Sequence, residues 1–185
     1  MEITSIVIDN FLENPDLVRE SALSSEFNFI GNFPGARSDV TDSGYRSYIE
    51  SKLEKIFNTP ILNWTMFSDS GKFQLCLENE KTWIHYDPSE WTGILYLTPD
   101  APASSGTAIW RHKKTKIFRH TKENPADSTD SNDWEGITNI GNVYNRLAIF
   151  KGNLYHSSVL PGFGHDKYSG RLTQIFFFNT TSKDE

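Results

Sequence analysis

The spacing of apolar residues changes character about a third of the way along the chain. Before residue 60 the pattern is one short strand and two helices. "TSIVID" (4–9) is a β-branched run that predicts a brief strand. "NPDLVRESAL" follows, with Asn14 placed to cap a helix, Pro15 suited to its first turn and Asp16 to the positive end of its dipole. Tyr45, Ile49, Leu53 and Ile56 recur at helical spacing and share one face of a second helix over 43–58. Between the helices, "GNFPGARS" (31–38) carries Gly and Pro at turn-forming spacing and predicts a loop.

From residue 61 the runs are shorter and alternate apolar with polar. "ILNWTMF", "KFQLCLE", "TWIHYD", "TGILYLT", "TAIW", "RLAIF", "LYHSSV" and "RLTQIFFFN" each read as a strand. Turn residues such as "SDSG", "TPDAPASSG" and "LPGFG" separate most of them. The expectation is a mainly β fold with N-terminal helices, a sandwich or barrel. We expect a single domain over 1–185, in which 1–60 supports a β core over 61–185. Residues 112–145 form a long polar insert centred on "KENPADSTDSND", either a surface loop or a lid that sets specificity.

Composition narrows the function classes. The chain has 185 residues and 14% aromatics, enough to build a core without disulfides or a structural metal. Its net charge of −6 and lack of a long basic block argue against a duplex nucleic-acid partner. The single cysteine, Cys76, sits in an alternating run and reads as a packed side chain. The first residues lack the basic and apolar regions of a signal peptide, and no apolar run reaches membrane-spanning length. A cytoplasmic location is therefore expected, while oligomeric state is not readable.

Candidate chemistry begins at "WIHYDPSEW" (83–91). In an extended chain, side chains at i and i+2 point to one face, so His85 and Asp87 project together with Trp83. A histidine and a carboxylate so placed can reach one metal ion, but the pair alone arises often by chance and needs a third ligand. Among the other histidines, His120 falls in the polar insert and His165 in a Gly-rich turn, both expected in solvent, and His112 lies beside basic residues. His156, in "LYHSSV", is the best remaining partner. In "GRLTQIFFFN", Arg171 and Thr173 share a face of a strongly apolar strand. A guanidinium there is costly unless paired, either with a buried Asp or Glu or with a ligand carboxylate held bidentately. Two histidines and one carboxylate on one side of an ion form the facial triad suited to Fe(II) oxygen chemistry.

These motifs, in this order, resemble the 2-oxoglutarate- and Fe(II)-dependent oxygenases, in particular the prolyl-hydroxylase-like branch. "HYD", "GILYLTPDAPASSGTAIW", "NRLAIFKGNLYHSS" and "GRLTQIFFFN" carry the resemblance, which runs from Phe73 to Asn179. It implies a double-stranded β-helix (jelly-roll, cupin-like) core, with His85, Asp87 and His156 as iron ligands. It further implies that Arg171 pairs with the distal carboxylate of 2-oxoglutarate. Tyr96 would donate to the same carboxylate, and Thr173 is a weaker carry-over. Fe(II), 2-oxoglutarate and O2 would be required, and ascorbate would stimulate. The implied activity is hydroxylation of a substrate, protein, peptide or small molecule, with conversion of 2-oxoglutarate to succinate. Halogenating relatives need a small residue where Asp87 stands.

Two other classes remain open at this stage. Two His and one Asp can also hold Zn2+ in a hydrolase, although a hydrolase has no need of Arg171. A jelly-roll binding module would carry the triad by accident. Trp83, Trp91, Trp110 and Trp134 either line a groove or pack in the core. Arg37 and the basic stretch from Arg111 face either an anionic substrate or solvent.

Overall fold

The computed structural model describes residues 1–122, 130–159 and 162–181. Strand β1 (Ser5–Ile8) leads into α1 (Pro15–Ser24), β2 (Ala36–Arg37) and α2 (Ser43–Phe57). There follow β3 (Phe73–Cys76), β4 (Trp91–Tyr96), β5 (Thr107–His112), β6 (Trp134–Ile140), β7 (Leu147–Lys151), β8 (His156–Ser158) and β9 (Arg171–Phe178). Six strands form one antiparallel sheet in the order β1-β7-β4-β9-β3-β2. The other sheet is β6-β5-β8.

Alternation along the strands assigns the two faces of the larger sheet. Leu172, Phe176 and Phe178 of β9, with Leu147 and Ile149 of β7, belong to the main core, where Ile49 and Leu53 of α2 also lie. Arg171, Thr173, Ile175 and Phe177 point to the opposite face and line a cavity of about 560 Å3. Ile109, Phe150 and Leu154 pack together between the sheets. Two antiparallel sheets enclosing a cavity, with the helices outside the larger one, make a double-stranded β-helix.

The helices form where expected. Asp42 caps α2, its carboxylate accepting from the amides of Gly44 and Tyr45 at 2.8 and 3.0 Å. Asn58 ends it in the left-handed region. Asn14 occupies the cap position of α1 but makes no side-chain capping bond.

Four expectations need correction. In "ILNWTMF" only Leu62 pairs, with Asn179, and Trp64–Met66 is a 3-10 turn. The turn lays Trp64 over Phe176 and Phe178, at ring distances of 5.5 and 6.5 Å. In "TWIHYD" the only ladder contact is His85 with His156, because the chain then turns its Asp87 amide to the Gly152 carbonyl at 2.7 Å. The stretch 31–38 includes β2, an edge strand paired through Ala36↔Leu75 and Arg37↔Gln74. The 112–145 insert supplies β6, which pairs along the whole of β5. The centre of that insert, 123–129, and part of "LPGFG" lie outside the described residues. Among the described residues, no helix is long and apolar enough to cross a membrane.

Candidate metal centre

β8 and the short segment 85–87 build the centre. His85 and His156 form a hydrogen-bonded antiparallel pair, which places both imidazoles on one side with their rings 4.4 Å apart. Asp87, two residues on, turns its carboxylate to the same point. Its Oδ2 lies 3.2 Å from His156 Nε2, its Oδ1 lies 3.9 Å from His85 Nε2, and one donor atom from each residue lies within 4.8 Å of the others. Metal bonds to such donors are about 2.0–2.2 Å, so ligands at adjacent positions around one ion stand about 3 Å apart. The three side chains are close to that arrangement.

Hydrogen bonds behind the rings select the tautomer. His85 Nδ1 lies 3.0 Å from the Trp83 carbonyl and His156 Nδ1 lies 2.8 Å from the Leu154 carbonyl. A carbonyl only accepts, so each Nδ1 carries the proton and each Nε2 presents its lone pair to the cavity. A lone pair on His156 Nε2 facing a carboxylate oxygen at 3.2 Å is repulsive. The contact is favourable only with a cation in it, either a proton on the ring or a metal ion shared by both groups. The donor set, two imidazole nitrogens and one carboxylate, suits iron and other divalent transition ions. Thr92 donates to Asp87 Oδ2 at 2.6 Å and orients the carboxylate.

The electrostatics favour the ligating forms of His85 and Asp87. Burial, then the neighbouring His156, draws the His85 imidazole down to about 4. His85 lines the cavity, and its side chain is 36% exposed. Burial alone pushes the Asp87 carboxyl up, but His156, His85 and the Thr92 hydroxyl outweigh it and bring it down to about 2.

Arg171 lies on the same cavity, 6% exposed, and its neighbours decide between the two partners expected of it. Among the described residues no carboxylate pairs with it. Its Nε donates to the Ser105 carbonyl at 3.2 Å, and its guanidinium carbon is 5.8 Å from the Tyr96 ring. Thr173 also lines the cavity, with its hydroxyl 3.4 Å from the Gln74 carbonyl. Tyr96 is fully buried behind the cavity wall, and its hydroxyl donates to Thr107 Oγ1 at 2.8 Å. The residue that reaches the cavity at that point is Thr107.

Other candidates fall elsewhere. Trp83 lines the cavity mouth, whereas Trp91 and Trp134 are buried, and Trp110 donates to Ser157 Oγ at 2.9 Å. His120 is packed rather than free in solvent, stacked on Tyr86 at 3.7 Å. His165 is exposed and paired with Glu78. Cys76 is buried and its thiol pushed up by that burial, as suits a packed side chain. Sequence reasoning missed Thr92 and Thr107. Thr92 was within reach, since it shares the face of Ile94 on β4.

Known structures share this fold. HygX from Streptomyces hygroscopicus, solved with nickel, 2-oxoglutarate and hygromycin B, superposes with a TM-score of 0.64 at 11% identity, covering 96% of this chain and 83% of that one. A Pseudomonas putida prolyl-4-hydroxylase gives 0.53 at 15% identity, covering 97% and 94%. A Trichoplax adhaerens prolyl hydroxylase, in complex with a hypoxia inducible factor peptide fragment, gives 0.52 at 13%, covering 96% and 84%. The fold is therefore the one that these proteins share. A family model described as "Family of unknown function (DUF6445)" matches residues 125–178. No curated protein matches the sequence.

Proposed function

We propose that this protein is a 2-oxoglutarate- and Fe(II)-dependent dioxygenase that hydroxylates an organic substrate and releases succinate. One observation carries the reading. The His85–Asp87–His156 cluster and the guanidinium of Arg171, which has no carboxylate partner among the described residues, open on the same cavity. A zinc hydrolase has a use for the first and none for the second. A binding module has no use for the convergence of both.

In this reading His85 Nε2, His156 Nε2 and one Asp87 oxygen hold Fe(II), and the Trp83 and Leu154 carbonyls fix the ring orientations. When bound, the iron supplies O2 activation coupled to decarboxylation of 2-oxoglutarate. Arg171 takes the distal carboxylate of the cosubstrate by charge-assisted hydrogen bonds, which supplies the anion that a buried guanidinium otherwise lacks. Thr173 lies two residues along on the same strand face and can add a hydroxyl. Tyr96 acts through Thr107, orienting its hydroxyl toward the same end of the cavity. Ile94 and Ile175 keep that end apolar and exclude water.

The test is aerobic incubation of the protein with Fe(II), 2-oxoglutarate and ascorbate, with succinate measured. Slow succinate release without added substrate, absent in Asp87→Ala, is the expected result. Equal release by the two proteins would reject the assignment.

A further inference from the structure

Arg37 lines the same cavity as Arg171, in the 31–38 segment between the helices. The sheet register explains its position. Arg37 pairs with Gln74, Gln74 with Thr173 and Thr173 with Tyr96, so the four side chains form one row across β2, β3, β9 and β4. Arg37 and Arg171 are thus held by the same sheet face. Arg37 is also close enough to feel the charge of Asp87.

The guanidinium is held on two of its three nitrogens. Nε donates to Gln74 Oε1 at 2.8 Å and Nη1 to Asp69 Oδ2 at 2.6 Å. Phe33 packs against the guanidinium, 3.7 Å from ring centre to Cζ. Nη2 has no acceptor among the described residues, and it is not sealed from the cavity that Arg37 lines. The side chain is only 11% exposed, so its mobility is small and its free donors point in a fixed direction. A guanidinium serving only to tie the 31–38 segment to Asp69 would need no open donor on a cavity wall.

Charge then limits what those donors accept. Asp69 also pairs with Lys72 at 2.8 Å, so Arg37, Lys72 and Asp69 together carry one net positive charge. That matches a monoanion. A dianion such as a phosphate ester would place its second charge beside the Asp69 carboxylate. Apolar side chains share the cavity wall with Arg37, beside the polar Asn32, Ser68 and Asp69. Met66 and Trp83 are among them and are 75% and 37% exposed, with Phe67 and Phe177 beside them. Exposed apolar side chains grouped at a cavity mouth mark a contact surface.

We propose that Arg37 anchors the substrate to be oxidised, through a carboxylate, and that Met66, Trp83 and Phe67 cover an adjoining apolar body. The proposal rests on reading the His85–Asp87–His156 cluster as the oxygenase centre. Arg171 would hold the cosubstrate from β9 and Arg37 the substrate from the edge strand β2, two ladders away on the same sheet face. The substrate class is an aromatic or aliphatic monocarboxylate.

Calorimetric titration of the full chain, loaded with Mn2+ and 2-oxoglutarate, tests this. The probes are 3-phenylpropionate, indole-3-acetate and hexanoate, each beside its uncharged amide, and phenyl phosphate. At least one acid should bind at least tenfold tighter than its amide. Arg37→Gln should remove that preference, and Arg37→Lys, which keeps a cation for Asp69, should weaken it. Asp69→Asn should strengthen acid binding severalfold and admit phenyl phosphate, a gain that a merely structural ion pair would not give. The proposal is overturned if no acid outbinds its amide, or if both Arg37→Lys and Asp69→Asn bind the acids as the parent protein does. Titrating 2-oxoglutarate itself into the Mn2+-loaded parent chain, and repeating the acid titrations without it in an Arg171→Gln background, separates the two readings. Failure of the parent chain to bind 2-oxoglutarate alongside intact Arg37-dependent acid binding counts against the oxygenase centre alone, and 2-oxoglutarate binding with no acid preference counts against Arg37 alone.

Discussion

His85 and His156 are joined through their backbones before any metal joins their side chains. The amide of each donates to the carbonyl of the other, at 3.0 and 2.8 Å. The pair is isolated, a single bridge outside any longer ladder of the 82–87 segment. It therefore acts as a clamp that brings a loop histidine to a strand histidine 71 positions later. Asp87 is brought in by the next contact, its amide on the Gly152 carbonyl. The geometry of the centre is thus set by main-chain hydrogen bonds, and side-chain substitutions can probe it without dismantling it.

Thr92 gives the mildest such probe. Its hydroxyl donates to Asp87 Oδ2 at 2.6 Å, and the residue is buried on β4. Thr92→Val keeps the shape and deletes the donor. Loss of an outer hydrogen bond to a ligand lowers metal affinity by about 10–100-fold. Titration with Mn2+ should show a loss in that range with little change in fold. An unchanged affinity would mean that Asp87 is oriented without Thr92.

Arg171→Gln should separate cosubstrate binding from metal binding. Hydrogen bonds to a charged group contribute about 1.5–3 kcal/mol, which corresponds to a rise of about ten- to a hundred-fold in the KM for 2-oxoglutarate. The Mn2+ affinity should stay the same, because Arg171 touches none of the three ligands. A KM for 2-oxoglutarate equal to that of the parent protein would remove Arg171 from this role.

Much of this arrangement was legible in the sequence, and the parts that were not share a cause. The His85-x-Asp87 spacing, the late His156 and the apolar setting of Arg171 are local patterns, so period-two reasoning assigns them the faces on which the structure brings them together. The extended reading of "TWIHYD" was right about the shared side of His85 and Asp87 and wrong about the ladder, because pairing depends on Gly152 and His156, far away in the chain. "ILNWTMF" has strand composition, yet burying Trp64 against Phe176 and Phe178 is better served by a 3-10 turn. β6 was hidden in a polar insert because four consecutive residues of its seven, from Gly136 to Asn139, are exposed and give no alternation to read. The role of Thr107 was not legible at all. It depends on a cross-sheet hydrogen bond from Tyr96, and no local pattern encodes one.

Acid should destabilise the metal-free protein in two stages. His85 is lowered to about 4 from an ordinary 6.5, first by burial and then by His156. In that window the unfolded chain binds a proton that the folded chain does not. Stability contributed by the neutral ring is therefore full above 6.5 and falls as the pH drops toward 4. Asp87 is brought from 3.8 to about 2, so its contribution is full above 3.8 and is lost as the pH falls toward 2. Urea midpoints measured with a chelator present should decline from pH 7 to pH 4, and His85→Gln should flatten the decline. Parallel curves for the two proteins would show that His85 does not carry the first stage.

Gly152 offers a test of the main-chain clamp without touching a ligand. Its carbonyl accepts from the Asp87 amide at 2.7 Å, and its own amide donates to the Glu90 carbonyl at 2.9 Å. A Cβ at this position would meet the Ser89 carbonyl oxygen at 2.2 Å, far inside van der Waals contact, and that atom is backbone with little freedom to retreat. Gly152→Ala must therefore push the 87–90 turn away from β7, and Asp87 moves with it. The ligand side chains all remain, so a model in which only their identity matters predicts normal metal binding. Here Mn2+ affinity should fall at least tenfold, with a lowered Tm reporting the strained turn. Serine should be no better than alanine, because the clash lies at Cβ. A Gly152→Ala protein that binds Mn2+ as the parent does would show that the turn can relax without displacing Asp87, and the clamp would lose its part in shaping the centre.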